Sequence, residues 1–202
     1  VAVNKSKMNH FNEAEESLLD LINQNPNTDN LLISLADLYR FEEKYDEAII
    51  HYSQIIDSKK SIFSDQWRLL YLRGICYERS LKWKLAEKDF LDSLKLKSDS
   101  PQVLNYLAYG WLEQNQNLDL AMEMLLKAYK ADPQSYYILD SLAWAYYKKN
   151  LFEKAAELME EVITLAPGEA ISLDHLGDIY FAMNRKREAI YFWQQAKDLS
   201  AP

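Results

Sequence analysis

The side chains of this 202-residue chain that could act in catalysis or hold a metal ion are few and far apart. Histidine can serve as a general base or a metal ligand, and the chain has three, His10, His51 and His175. No two of them have metal-ligand spacing, and Cys76 is the single cysteine, without a disulfide partner or a second thiolate for zinc. Asp174-His175 is the one pair that suggests catalysis, and a histidine on the flank of a helix is its simpler interpretation.

The motifs that bind phosphates or activate a nucleophile are missing from the sequence. It has no glycine-rich phosphate-binding loop and no Gly-x-Ser-x-Gly turn. We therefore expect no enzymatic activity, no cofactor and no metal site. The net charge is −8 and the basic residues are dispersed, which is unlike the basic stripe of a nucleic-acid-binding protein. No run of residues approaches the ~18 apolar residues of a membrane-spanning helix.

The composition favours helices over turns and strands. Glycine and proline number only 4 and 5, and residues of high helix propensity dominate the rest of the chain. Hydrophobic residues make up 49% of the chain, which is ample for a folded core. An all-α protein is expected, and a repeat array is the first architecture to test.

Small residues recur at a nearly constant spacing. One set of alanines is separated by 34, 38, 35, 34 and 34 residues: Ala14, Ala48, Ala86, Ala121, Ala155 and Ala189. A second small position precedes each of the last five: Ala36, Gly74, Ala108, Ala143 and Gly177. A leucine lies four residues before each member of this second set, and an aromatic residue lies three residues after it. This spacing is the buried stripe of an amphipathic helix, so each repeat is predicted to hold two helices.

The spacing also predicts how the two helices of a repeat meet. Antiparallel helices approach closely only where a side chain is small, so we expect the Gly or Ala of the first helix to face the Ala of the second. A large residue on each second helix is expected to fill the space between repeats: Tyr52, Phe90, Leu125, Met159 and Trp193. Arg73 departs from the pattern, because it replaces the usual leucine.

The order of leucine, Gly or Ala, aromatic, alanine and proline over about 34 residues resembles the tetratricopeptide repeat (TPR) family. The resemblance covers essentially the whole chain and implies an all-α, right-handed superhelical solenoid of antiparallel helix pairs. Its repeats are placed at 29–62, 67–100, 101–135, 136–169 and 170–202. Residues 1–28 are interpreted as a partial repeat, the end of a first helix followed by a second helix, and we expect the array to continue before residue 1.

A closer resemblance covers residues 67–200. Strings such as Ile-Leu-Asp-Ser-Leu-Ala-Trp (138–144) and Asp-His-Leu-Gly-Asp-Ile-Tyr (174–180) are similar to the C-terminal TPR region of large proteobacterial proteins. That resemblance implies a bacterial origin and a place in the periplasm or cell envelope, with the cytoplasm as the alternative. Some members of that branch act as adaptors for envelope proteases.

The concave wall of a TPR superhelix is built from first helices, so the first-helix residues not used in packing are candidates for partner binding. Ile75 and Leu112 are two of the residues predicted to lie on this wall. The candidate site residues are Tyr71, Arg79, Asn105, Tyr109, Tyr137, Asp140, Trp144, Tyr147, Lys148, Asp174, Asp178 and Phe181. Asn105, Asp140 and Asp174 share one repeat position and should form a polar row beside the aromatic residues. Alternatively, the row bonds to neighbouring helices and fixes the angle between repeats, and some of the aromatic residues belong to the core.

These residues predict a non-catalytic scaffold or adaptor that binds a partner segment in the groove. The carboxylates favour an apolar segment that is neutral or basic. The positions where chaperone-binding members clamp a carboxylate read Ile33, Asp37 and Leu72, which offer no cation. A self-assembling module, which packs through an exposed repeat edge or the aromatic surface into a homo-oligomer, is the alternative. Regulation of an envelope protease is a third hypothesis, based on resemblance only.

Overall fold

The computed structural model describes residues 2–26, 28–58 and 65–200, with side chains from residue 10 onward. These residues form eleven α-helices and no strand, which confirms the predicted all-α fold. The chain consists of two compact units, an N-terminal unit (1–98) and a C-terminal unit (99–202). The N-terminal unit holds α1 (Ala2–Gln24), α2 (Asp29–Phe41), α3 (Tyr45–Asp57), α4 (Gln66–Arg79) and α5 (Trp83–Leu96). The C-terminal unit holds α6 (Pro101–Glu113), α7 (Leu118–Ala131), α8 (Tyr136–Lys148), α9 (Phe152–Leu165), α10 (Ala170–Ala182) and α11 (Lys186–Ser200).

Consecutive helices pack as pairs. These pairs are α2 with α3 and α4 with α5 in the N-terminal unit, and α6 with α7, α8 with α9 and α10 with α11 in the C-terminal unit. Each pair falls in one predicted repeat interval, except that α4 begins one residue before 67–100, and the limits of those intervals stay predictions. The intervals also include residues 1, 27, 59–62, 201 and 202, which lie outside the described residues.

The first segment differs from the expectation of two partial helices. One continuous helix, α1, occupies Ala2–Gln24, and no turn divides it. The physical reason is the absence of any glycine or proline between these limits, so nothing in the backbone stops the helix before Pro26.

A left-handed backbone turn joins the two helices of every described pair. Residues with φ between 50° and 61° occur at these turns, and none is glycine: Glu43, Leu81, Asn115, Asn117, Asn150 and Asn184. In each turn one N–H donates a hydrogen bond back to the carbonyl of the repeat's aromatic residue, as from Lys82 to Tyr77 (2.8 Å) and from Arg185 to Tyr180 (2.8 Å). Such bonds satisfy the last carbonyls of the first helix and reverse the chain direction.

The small positions are buried, but they do not all face alanine as expected. A Cβ atom built on Gly74 would lie 2.6 Å from Phe90 Cε1, and one on Gly177 would lie 2.4 Å from Trp193 Cδ1. At these two repeats the glycine therefore makes room for a large ring of the second helix. The expectation that these rings lie between repeats is corrected here, because a bulky partner demands the smallest residue.

Arg73 forms a buried ion pair in place of an apolar contact. Its Nε and Nη2 donate to Asp89 Oδ2 (2.7 Å) and Oδ1 (2.8 Å), and its Nη1 donates to Ser53 Oγ (3.0 Å). The side chains of Arg73 and Asp89 are 11% and 3% exposed. This cation therefore ties α4 to both α5 and α3.

Candidate functional site

The candidate residues of the C-terminal unit lie on its three first helices, α6, α8 and α10. Helix α8 packs against both α6 and α10. We call the surface that these helices present the first-helix face. It carries ten of the predicted residues: Asn105, Tyr109, Tyr137, Asp140, Trp144, Tyr147, Lys148, Asp174, Asp178 and Phe181. Tyr71 and Arg79 lie on α4, in the N-terminal unit, and do not belong to this face.

A stack of three rings crosses from α8 to α10. The rings of Tyr147 and Trp144 are stacked at 4.5 Å and 14°, and those of Trp144 and His175 at 4.0 Å and 16°. The ring of Tyr109, from α6, lies 6.4 Å from His175. Trp144 is only 6% exposed, so it supports the face from beneath and contacts little solvent. The alternative that some of the aromatic residues are core therefore applies to Trp144.

Asp140 is bonded to the next repeat. Its Oδ2 lies 3.2 Å from His175 Nδ1, and both residues are buried. A carboxylate oxygen only accepts, so this contact orients the His175 ring with Nδ1 toward Asp140. His175 is not on a helix flank as the sequence suggested. The sequence signal that could have revealed this contact is a pair of polar residues, Asp140 and His175, separated by about one repeat length.

The three residues of the predicted polar row lie in three different environments. Asn105 is 6% exposed, and its Oδ1 is buried without a hydrogen-bond partner among the described residues. Asp140 pairs with His175, whereas Asp174 is exposed and has no hydrogen bond or ion pair within the described part of the chain. Only Asp174 presents a free carboxylate to solvent, so the row does not act as a uniform ladder of acceptors.

Asp178 lies one turn after Asp174 and is half-buried. Trp193 Nε1, from α11, donates to its Oδ1 at 3.1 Å. Burial, and then the charge of Asp174, raise the pKa of Asp178, which the bond from Trp193 and the charges of His175 and Lys148 only partly offset. Trp193 is not among the predicted site residues, because it lies on a second helix.

Lys148 contacts Trp144 and Glu113. Its Nζ lies 4.9 Å from the centroid of the Trp144 ring and 4.0 Å from Glu113 Oε1. Trp144 Nε1 donates to the same Glu113 oxygen at 2.8 Å. Glu113, which is not among the predicted site residues, therefore fixes the indole and lies beside the Lys148 ammonium group.

Large apolar side chains at both ends of the face are open to solvent. Tyr137, in the first turn of α8, is 38% exposed, and Phe181, near the end of α10, is 54% exposed. The ring of Phe181 lies 5.6 Å from Trp193. Two other predicted wall residues are core instead: Leu112 is 0% and Ile75 9% exposed, because these positions face a neighbouring helix.

The two candidates of the N-terminal unit have different surroundings. Tyr71 is half-buried, with its ring 6.3 Å from that of Phe90. Arg79 is exposed at the end of α4, where its Nε lies 3.4 Å from Glu78 Oε2. Tyr71 therefore belongs partly to the packing between α4 and α5.

Among residues 2–26, 28–58 and 65–200, no group of three or more His, Cys, Asp or Glu residues could hold a metal ion. Within the same ranges, no helix combines the length and apolarity that crossing a bilayer requires.

Two segments of the chain match family models described as tetratricopeptide repeat, residues 31–61 and residues 139–202. A TPR repeat-containing protein of Pseudomonas aeruginosa is 26% identical to the chain over 125 residues. This match covers 62% of the chain and 21% of the relative, so the chain spans about a fifth of the curated relative's length.

Solved structures of TPR proteins resemble the chain in fold. A TPR protein from Parabacteroides merdae has a TM-score of 0.77 at 18% identity, over 99% of this chain and 77% of its own. A chain of the APC/C hetero-tetramer Cut9–Hcn1 has a TM-score of 0.81 at 17% identity, over 96% and 37%. YrrB, a TPR protein with an unusual peptide-binding site, has a TM-score of 0.65 at 17% identity, over 92% and 93%.

Proposed function

Because the chain is a tetratricopeptide repeat protein, we propose that it binds a segment of a protein partner on the first-helix face of its C-terminal unit. TPR proteins generally serve as scaffolds for protein–protein interaction and not as catalysts. The side chains of that face lead us to place the segment across α6, α8 and α10.

The observation that carries the proposal is the exposure of Tyr137 and Phe181 on either side of a fixed aromatic stack. Large apolar groups on a soluble surface mark interaction sites, and aromatic residues dominate the binding energy of interfaces. Between them, Trp144 is held by Glu113 and by stacking on His175. A surface that is already ordered loses little conformational freedom when a partner binds.

The charges of the face favour a partner segment that is apolar and neutral to basic. Asp174 and Asp178 carry negative charge on α10, and Glu113 adds a third carboxylate at the end of α6. Electrostatic complementarity disfavours an acidic segment here. YrrB, whose fold is similar, is described as having a peptide-binding site, which supports peptide binding as a use of this architecture.

Panning of a random-peptide phage library against the full chain tests the proposal without knowledge of the partner. We expect enriched peptides to bind wild type and to lose at least about tenfold in affinity for the double variant Tyr137→Ser/Phe181→Ser, which equals about 1.4 kcal/mol. Both side chains are exposed, so the double variant should stay folded.

The matched control removes two equally exposed apolar side chains from second helices of the same unit. Leu126→Ser/Leu165→Ser changes residues that are 45% and 48% exposed on α7 and α9. This control should bind the enriched peptides as wild type does. Failure to enrich any peptide, or equal loss in both double variants, would contradict binding on the first-helix face.

Self-assembly is the second candidate function, and the outer side of α11 favours it. Ile190 and Tyr191 are 64% and 58% exposed on adjacent positions of that helix. Light scattering over a concentration series tests this candidate, with Ile190→Ser/Tyr191→Ser as the variant expected to abolish any oligomer. A monomer at the highest concentration would exclude it.

A further inference from the structure

We infer that the outer side of α11 binds the same side of α11 in a second copy of the chain, with the two helices antiparallel. Ile190 and Tyr191 supply the apolar centre of this contact. An ion pair between Arg187 of one copy and Asp198 of the other closes it at each end. This inference rests on the self-assembly candidate described above, and it does not involve the first-helix face.

The outer side of α11 carries a cation at one end, a carboxylate at the other and apolar groups between them. Arg187, Tyr191, Gln194 and Asp198 follow one another at spacings of four, three and four residues, which align them on one side of a helix. All four are exposed, and Tyr191 and the neighbouring Ile190 are 58% and 64% exposed. Arg187 and Asp198 are three helical turns apart, or about 16 Å.

The preceding second helices of the C-terminal unit carry acids where α11 carries Arg187 and Tyr191. One and two repeat lengths earlier, these two positions hold exposed residues of α9 and α7: Glu153, Glu157, Asp119 and Glu123. Such acids are typical of a solvated helix face. On α11 a cation and an aromatic ring take their place, and aromatic residues and arginine are the commonest anchors of protein interfaces. The outer side of α11 therefore differs from its counterparts in the direction expected of a contact surface.

The charges of this side are complementary to a second copy of the same helix. In a two-fold symmetric contact, residue i of one copy meets residue j of the other, and j meets i. An antiparallel pairing centred midway between Arg187 and Asp198 brings each opposite the other, and it places Tyr191 opposite Gln194. Arg187 makes no ion pair among the described residues, and Asp198 accepts one bond, from Gln194 Nε2 at 3.0 Å. Two ion pairs therefore form without breaking an existing one.

The aromatic centre of the contact is already ordered. The Tyr191 ring meets the Phe192 ring edge-on at 5.2 Å and 81°, and the Phe192 ring lies 5.5 Å from that of Tyr180. A ring held in this way loses little conformational freedom when a second copy binds. One helix side from each copy makes a small interface, so we expect a weak and reversible dimer.

Sedimentation equilibrium of the full chain, at concentrations up to about 1 mM, tests the inference. Wild type should dimerise. Arg187→Glu and Asp198→Lys should each weaken the dimer at least about threefold at low salt, because one substitution makes both symmetry-related pairs repulsive. Combining the two substitutions reverses both pairs and should restore the dimer. The differences should shrink in 1 M NaCl, where the screening length is about 3 Å.

The variants should stay folded, because α9 has Glu153 at the position of Arg187 and α7 has Lys130 at the position of Asp198. Lys130→Glu and Glu123→Lys are the controls. They make the same two changes of net charge at exposed positions of α7 and should leave the dimer unchanged.

A wild-type dimer that neither single variant weakens, or that the double variant fails to restore, would overturn the antiparallel α11 contact and leave self-assembly standing. A wild-type monomer at about 1 mM would exclude both. Peptide binding on the first-helix face is independent of either result.

Discussion

The ion pair between Arg73 and Asp89 can be tested by replacing each partner with leucine. In the other repeats the position of Arg73 holds Leu35, Leu107, Leu142 and Leu176, all of them buried. The position of Asp89 is occupied by apolar residues in the last three repeats: Met124, Leu158 and Phe192. The double variant Arg73→Leu/Asp89→Leu therefore restores a contact that this fold already uses elsewhere.

The magnitude follows from the bonds that each single variant breaks. Asp89→Leu leaves the Arg73 guanidinium, 11% exposed, without the two bonds of 2.7 and 2.8 Å. Bonds to charged groups contribute about 1.5–3 kcal/mol each, and breaking a buried pair costs about 3–5 kcal/mol. We expect about 3–5 kcal/mol of destabilisation for either single variant, and a double variant within about 1 kcal/mol of wild type or above it.

Urea unfolding of protein labelled with 5-fluorotryptophan provides the assay, because fluorine NMR distinguishes the two units. Trp67 and Trp83 report on the N-terminal unit, and Trp111, Trp144 and Trp193 on the C-terminal unit. With a slope of about 1–3 kcal/mol per molar urea, a loss of 3 kcal/mol lowers the midpoint by about 1–3 M. Only the signals of Trp67 and Trp83 should report the primary effect.

Two results would refute this reasoning. A midpoint for Asp89→Leu within about 0.3 M of wild type would mean that water screens the guanidinium despite its burial. A double variant as unstable as the sum of the single variants would mean that the two side chains are not coupled.

Three further predictions concern glycine packing, a thiol and a histidine. Gly177→Ala should lower the midpoint of thermal unfolding. Overpacking against Trp193 costs about 1–3 kcal/mol, whereas the better helix propensity of alanine stabilises by only about 1 kcal/mol. A higher midpoint would show that the Trp193 ring moves freely. Burial raises the pKa of Cys76 to about 12, so the native thiol should resist a disulfide reagent at pH 8 and react after unfolding. Burial lowers the pKa of His51, so the unfolded chain binds its proton more readily and stability should fall as the pH drops through about 6.5. His51→Phe, which keeps a ring beside Tyr39, should lose less stability over that range in urea titrations; an unchanged profile would contradict the assignment.

The fold was predictable because its signal lies within single helices. Ala48, Ala86, Ala121, Ala155 and Ala189 are all 0% exposed, as the spacing predicts. Burial of a helix stripe depends only on residue type and on a period of 3.6, and both can be read without knowing what packs against the helix.

The side chains that pack against each other between two helices were less predictable. The sequence shows that Gly74 and Gly177 are small, but not that Phe90 and Trp193 turn toward them. A one-residue shift in register between two helices would change which side chain fills the gap. The period of the small residues is the same in either arrangement.

The candidate site shows the same limit. The sequence placed Asp140 and Trp144 on the first helices, and the structure confirms that position. Asp140 and Trp144 precede His175 by 35 and 31 residues, so they contact it only when consecutive repeats stack. Exposure was the least predictable property, because Leu112 and Phe181 both lie four residues after the small residue of their repeats and are 0% and 54% exposed.

The left-handed turns bear on the order in which the repeats fold. Asparagine reaches a positive φ at lower cost than other residues with a Cβ atom, and every left-handed turn residue described in the C-terminal unit is asparagine. The N-terminal unit uses Glu43 and Leu81 at the same places, at an expected cost of about 1–2 kcal/mol each. Folding of a repeat array can nucleate in any repeat and then spreads to its neighbours, so we expect it to begin in the pairs that avoid this cost. During synthesis, the N-terminal repeats therefore leave the ribosome before the part of the chain that we expect to nucleate folding.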